Sequence, residues 1–264
     1  MRDICDIYTS AVYGNLRPLY GNWLPDKPVE LGDYGILHDR AFMQIGNVRQ
    51  LGITFQPRKD SAGDQIIFSS KGSARVTLKP AGSGPVAGGA NVKASLQIDF
   101  SSEDSVFFNA AGCAYNMIQD KAGLGKDIMK RFENRTWDRQ WAVVTDIVQA
   151  GATTIAASGG HSSSIVFEAD GNVPQINLAD ASVSLSVASC SNVALQIAAR
   201  KGLSPLIGLS RIQHVFLFFG SQFTPAFSCF GNSGLSSRIE DAGNPATPEH
   251  AEDKPSNFYF GQMK

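Results

Sequence analysis

NVKASLQIDF, residues 91–100, reads as a strand with two unlike faces. Val92, Ala94, Leu96, Ile98 and Phe100 fall on one side, and Lys93, Ser95, Gln97 and Asp99 on the other. Successive side chains of an extended chain point to opposite faces, so this alternation sets an apolar face against a polar one. Upstream, ARVTL at 74–78 repeats the pattern through Ala74, Val76 and Leu78. KPAGSGPVAGGA, residues 79–90, joins the two segments with glycine and proline. Two alternating segments and a loose connection predict a long antiparallel hairpin, reaching back to about Gln65.

The same period returns further along. QWAVVTDIVQAGATTIAAS (140–158) and SSSIVFEA (162–169) flank the loop SGGHS. ASVSLSVAS alternates through Val183, Leu185 and Val187, and NVALQIAAR through Val193, Leu195 and Ile197. A second hairpin-like region is therefore expected over 141–199. Between the two regions a helical block is expected. Ser102 or Ser105 would cap a helix through FFNAAGCAYNMIQDK (107–121), and Leu124, Ile128 and Phe132 then recur every four residues. Lys126, Lys130 and Arg131 flank that stripe, with Arg135 and Arg139 following, which gives an amphipathic helix with a basic side. Dense Pro and Gly in NWLPDKPVELGDYG (22–35) predict short strands and turns across the first fifty residues.

Composition excludes several classes. The chain has 264 residues, 43% of them hydrophobic and 18% charged, with a net charge of −1. That balance argues against a dedicated nucleic-acid binder. No basic start followed by an apolar run marks a secretory signal, since Asp3, Asp6 and the polar YTS interrupt it. The strongest apolar run, Val215–Phe219, is far short of the roughly 18 residues of a membrane-spanning helix. Cys5, Cys113, Cys190 and Cys229 lie too far apart for a C-x-x-C pair and suit a reducing compartment. His38, His161, His214 and His250 show no metal-ligand spacing, and neither a nucleophile elbow nor a complete phosphate loop is present. No catalytic residue, metal or cofactor is expected, and the chain is expected not to be an enzyme.

The C-terminal stretch differs in character. From Glu240 onward there are five acidic residues against two lysines, for a net charge of −3, and three prolines. Such a segment reads as loose. It ends in Phe258, Tyr259 and Phe260, too apolar to stay in water, so the tip is expected to dock back onto the body.

NWLPDKPVELGDYGILHDRAFMQIGNV (22–48) and FNAAGCAYNMIQDKAGLGKDIMKRFENRTWDRQWAVVTDIV (108–148) resemble the bacterial gasdermins, with the likeness extending over roughly residues 1–235. The resemblance implies an α+β fold: a twisted, mainly antiparallel central sheet with flanking helices, residues 1–237 forming the pore-forming body and 238–264 a short autoinhibitory tail. It implies a monomer held inactive in the cytoplasm until a caspase-like or trypsin-like protease removes the tail. The body would then enter the inner membrane and oligomerise into a large β-barrel pore that kills the cell as antiphage defence. Candidate scissile positions are Arg238, Asp241 and Asp253. Cys5 would carry a palmitoyl group, and Phe258, Tyr259 and Phe260 would dock the tail. Lys126, Lys130, Arg131, Arg135 and Arg139 would face anionic lipid. Val92, Leu96, Ile98, Val183, Leu185 and Val187 would turn toward acyl chains in the barrel.

Other readings stand beside it. A strand half-buried in a water-soluble antiparallel sheet has the same alternation as a barrel strand of about 9–11 residues. Cys5 read without the resemblance is a free or buried thiol, and the basic helix side is a solvated face. A soluble module that binds a lipid or acyl chain through Cys5 is the competing function. A hydrolase using Cys113 or His161 comes last.

Overall fold

In the computed structural model, residues 3–25, 27–82, 93–200, 202–214 and 258–263 are described. The chain is α+β, with a mainly antiparallel large sheet, a second sheet of four strands and two helices among the described residues.

The first element departs from expectation. Helix α1 spans Ile4–Leu16, where strands and turns were expected, and Asp3 caps it by accepting from the Cys5 amide at 3.0 Å. The dense Pro/Gly punctuation begins only after this helix. Ile7, Tyr8 and Val12 bury one side of α1. Short strands then follow as expected: β1 (Leu19–Gly21), β2 (Asp33–His38) and β3 (Ala41–Asn47).

The second departure is β7. Strand β4 covers Pro57–Ser69, β5 Ala74–Lys79 and β6 Ser95–Phe100; β7 then runs from Val106 to Ile118, through the stretch expected to be helical. It pairs with β4 on one edge and with β8 (Trp141–Ala150) and β9 (Ala152–Ser158) on the other. A strand this central is covered on both faces, so its apolar residues need not alternate. Its Ala-Ala-Gly-Cys-Ala run then looks like a helix in sequence. Ser102 and Ser105 cap nothing: their hydroxyls stand 2.9 Å apart, and the Ser105 amide donates to Ser158 Oγ.

The hairpin expected from the alternating segments is present over 74–100, but its expected reach back to Gln65 is not: Gln65–Ser69 belong to β4, which pairs with β7 in the large sheet. β5 and β6 pair antiparallel from Ala74↔Phe100 to Lys79↔Ser95. The expected second hairpin region, by contrast, is divided between sheets. β10 (Ser163–Ala169) and β11 (Leu185–Ser191) join β6 and β5 in the four-stranded sheet, ordered β11-β10-β6-β5. β8, β9 and β12 (Val193–Arg200) belong to the large sheet, and β9 pairs with β7 and β12 rather than with its sequence neighbours. The chain changes sheets at Asn192, which takes a positive φ of 54°. Only Leu185 and Val187 of the expected ASVSLSVAS pattern lie within a strand, and Val187 stays 39% exposed.

Alternate residues of the large sheet feed its two faces. Ile147, Ile207 and Leu209 pack with Leu124 and Ile128 of α2 (Lys121–Glu133), whereas Val148 and Leu206 pack with Ile7, Tyr8 and Val12 of α1. The four-stranded sheet lays Leu96, Ile98, Phe100, Ile165 and Phe167 against Phe107 of β7 and Ala156 of β9. Burying each such Leu, Ile, Val or Phe side chain contributes about 1.5–3 kcal/mol.

Candidate functional site: the C-terminal strand and the N-terminal cysteine

Strand β13 (Leu203–His214) has β8 along one edge. Its other edge is covered end to end by two short strands from distant parts of the chain. β1 pairs with residues 206–208, and β14 (Phe258–Gln262) pairs with 210–214, both antiparallel. Thus the tip of the tail is the strand that completes this edge. Gln213 Nε2 donates to the Gln262 carbonyl at 2.8 Å, and the Met263 amide donates to the Leu209 carbonyl at 2.8 Å.

Two side chains anchor the strand. Phe260 packs against the α2 cluster, over Gly125, where a Cβ would lie 3.2 Å from its Cδ1. Met263 is only 5% exposed and sits in the same cluster. Sequence reasoning missed Met263, because an isolated methionine near a chain end carries no pattern. Of the expected docking residues, Phe258 and Tyr259 pair through their backbones with His214 and Gln213; their side chains lie outside the described residues. Arg238, Asp241 and Asp253 also lie outside them, as does Val92.

Beside this edge stands a polar knot. Lys121 Nζ reaches both carboxylate oxygens of Asp146, at 2.6 and 2.7 Å. Thr145 donates to Asp146 Oδ2 at 2.8 Å and lies 3.2 Å from the buried Ser210 hydroxyl. Gly208 leaves the room this carboxylate needs, since a Cβ there would be 2.7 Å from Asp146 Oδ2. The start of α2 is thereby pinned to β8, opposite the point on β13 where pairing with β1 ends and pairing with the tail strand begins.

Cys5 occupies the first turn of α1 and is half-buried. Burial pushes its thiol up to about 11, reinforced by the negative charges of Asp3, Asp6 and Asp39. It is therefore protonated at neutral pH and weakly nucleophilic unless a partner takes its proton. Its surroundings are braced: Thr9 Oγ1 donates to the Cys5 carbonyl at 2.8 Å, and Arg40 Nη1 to Ser10 Oγ at 2.7 Å. Cys113 is fully buried on β7 and likewise pushed up to about 11, first by burial. His161 is an exposed turn residue 3.8 Å from Glu103. Among the described residues, no three His, Cys, Asp or Glu side chains stand together as a metal site.

The basic residues divide. Lys126 and Lys130 are exposed on α2, but Arg131 turns inward and its Nη2 donates to the Leu51 carbonyl. Arg135 and Arg139 lie beyond the helix, in the exposed turn and loop that follow. One continuous basic helix side is therefore not formed. Leu96 and Ile98 are buried on the inner face of β6, while Gln97 and Asp99 are hydrogen-bonded to each other on the outer one. No helix among the described residues is long and apolar enough to cross a membrane, which has no bearing on crossing by strands.

Compared with protein-family models and with curated proteins, the chain matches none.

Proposed function

We propose that the chain is an autoinhibited pore-forming protein of the gasdermin kind, activated when a protease removes the C-terminal segment. One observation carries this reading: Phe258–Gln262 returns across residues 215–257 to complete the edge of β13 and cover α2. The strand is held to the body by five pairings with β13 and by the Phe260 and Met263 side chains. The two-faced strands β6 and β10 have the kind of alternation that a barrel strand requires, apolar toward lipid and polar toward the lumen.

In this reading the intact monomer waits in the cytoplasm, and the cut body assembles in the inner membrane in response to phage infection. Cys5 is the site of palmitoylation. A single acyl chain gives only marginal membrane binding, so the lipid assists insertion and does not carry it alone. The protease is a separate partner, and nucleic acid has no role.

The test is dye release from anionic liposomes, using full-length protein with an engineered protease site near residue 240. Release after cutting and not before is the expected result. Liposomes that stay sealed, with the cut confirmed and the protein folded, would overturn the pore reading. Acyl-chain binding without release would then favour a lipid-binding module.

A further inference from the structure

The tail strand and the hairpin strand β3 are the two outer strands of one five-stranded lobe. A single rung crosses it: Gly261 faces Arg211, which faces Ala142, which faces Gly35, which faces Gln44. The lobe is thus ordered β14-β13-β8-β2-β3. Among the described residues β3 pairs with β2 alone, so its outer edge carries no strand. That edge is unusually apolar, with Met43 60% and Ile45 50% exposed and Ile36 opposite Met43 at 39%. A bulge between Tyr34 and Gly35 gives Ile45 no direct partner on β2.

The two outer strands also share a residue pattern. Met43-Gln44-Ile45-Gly46-Asn47 and Phe258-Tyr259-Phe260-Gly261-Gln262 are both apolar, any, apolar, glycine, amide. In the tail strand the third position, Phe260, pairs with Ile212 and packs over Gly125 of α2, and the glycine pairs with Arg211.

We infer that the β13 edge vacated by the tail is a docking site for β3 of a second copy of this chain, in the register the tail strand uses. Ile45 of the incoming strand takes the place of Phe260 beside Ile212, Gly46 lies opposite Arg211, and Asn47 opposite Ser210. The tail strand is then a competitor occupying a subunit interface, so the intact chain has no acceptor edge to offer. The contact is head-to-tail, because each copy donates β3 on one side and accepts on the other. Repeated, such a contact closes into a ring if its rotation allows and otherwise grows a filament. This inference rests on the pore reading for the release of the tail.

The experiment uses the full chain with the engineered site, cut in the presence of vesicles of phosphatidylglycerol and phosphatidylethanolamine. Copies carrying Gln44→Cys are mixed with copies carrying Gln213→Cys, and the disulfide between copies is read by mass against the unsubstituted parent. Assembly size is measured in parallel for Ile45→Lys and Ile45→Phe, both at an exposed position of the intact fold. The expected results are a disulfide between the two substituted positions on different copies, at least a tenfold loss of assembly for Ile45→Lys, and assembly kept by Ile45→Phe. A synthetic peptide of residues 258–263, added in excess, should block the link. Absence of the link after cutting, or full assembly by Ile45→Lys, overturns the inference. Dye release is scored separately: release without the link leaves the pore reading standing, and the link without release leaves the docking edge standing.

Discussion

Phe260 rests directly over Gly125, and the absence of a side chain on α2 at that point is what lets the tail strand approach. A Cβ built on Gly125 would stand 3.2 Å from Cδ1 and 3.3 Å from Cβ of Phe260. Gly125→Leu is therefore expected to displace the ring while leaving the exposed surface of α2 unchanged. Phe260→Ala should have the same effect from the other side, costing about 2 kcal/mol of docking energy from lost apolar burial. Hydrogen exchange checks both: the amides of residues 260–263 should exchange faster, while those of β8 keep their protection.

The Lys121–Asp146 pair should matter through its geometry more than its charge. Asp146 also accepts from Thr145, so Asp146→Ala strips partners from two groups at once. A loss of about 1.5–3 kcal/mol is expected for hydrogen bonds to a charged group, toward the low end because both side chains keep some solvent. Gly208→Ala should destabilise by crowding the same carboxylate. Urea unfolding gives both numbers.

Labelling of Cys5 should be slow at pH 7.5 and rise about tenfold per pH unit until it levels near the thiol's value of about 11. Asp6→Asn and Asp39→Asn should each speed it slightly, since burial rather than charge is the main cause of the upward shift. The sign for stability follows from the same shift. The folded state holds the Cys5 proton more tightly, so this contribution is complete below the ordinary value of about 9 and is lost as pH climbs toward 11. Peptide mapping after iodoacetamide treatment separates Cys5 from the exposed Cys190.

The two kinds of basic residue should behave differently. Lys126→Glu with Lys130→Glu is expected to weaken binding of the cut protein to anionic vesicles, each lysine being worth about 1 kcal/mol near such a surface. Arg131→Glu should instead lower stability, because Arg131 donates to the Leu51 carbonyl. Vesicle sedimentation and thermal unfolding of the same variants tell the two apart.

Gly35 has no room for any side chain. A Cβ there would fall 1.9 Å from the Met43 carbonyl oxygen, a backbone atom that cannot turn aside. Gly35→Ala is expected to disrupt the β2–β3 hairpin and lower the urea midpoint far more than Met43→Ala, which removes an exposed side chain.

The β5–β6 hairpin was legible because apolar and polar residues alternate along both strands; β6 buries its apolar face, whereas Val76 and Leu78 of β5 stay exposed at the edge of the sheet. β7 was not, because it is covered on both sides and its small residues suit several conformations. α1 was overlooked for a related reason: its buried Ile7, Tyr8 and Val12 are few, and the prolines and glycines that follow suggested irregular chain throughout. The return of the tail could be anticipated from three aromatic residues after an acidic, proline-rich stretch. Its acceptor could not, since the pairing of β14 with β13 depends on where β1 stops along the same edge. Nor could the turning inward of Arg131, which is set by the position of the Leu51 carbonyl.

The end-to-end arrangement of β1 and β14 along β13 has a bearing on how each molecule is made. β1 precedes β13 in the chain, whereas β14 is added only after residues 215–257. At about 5–20 residues per second, synthesis of that stretch separates β13 from the strand that completes its edge by roughly a few seconds. An unpaired strand edge is a template for association with any neighbour. On a messenger crowded with ribosomes the neighbours are copies of the same protein, so translation speed across this stretch sets how long nascent chains remain open to one another.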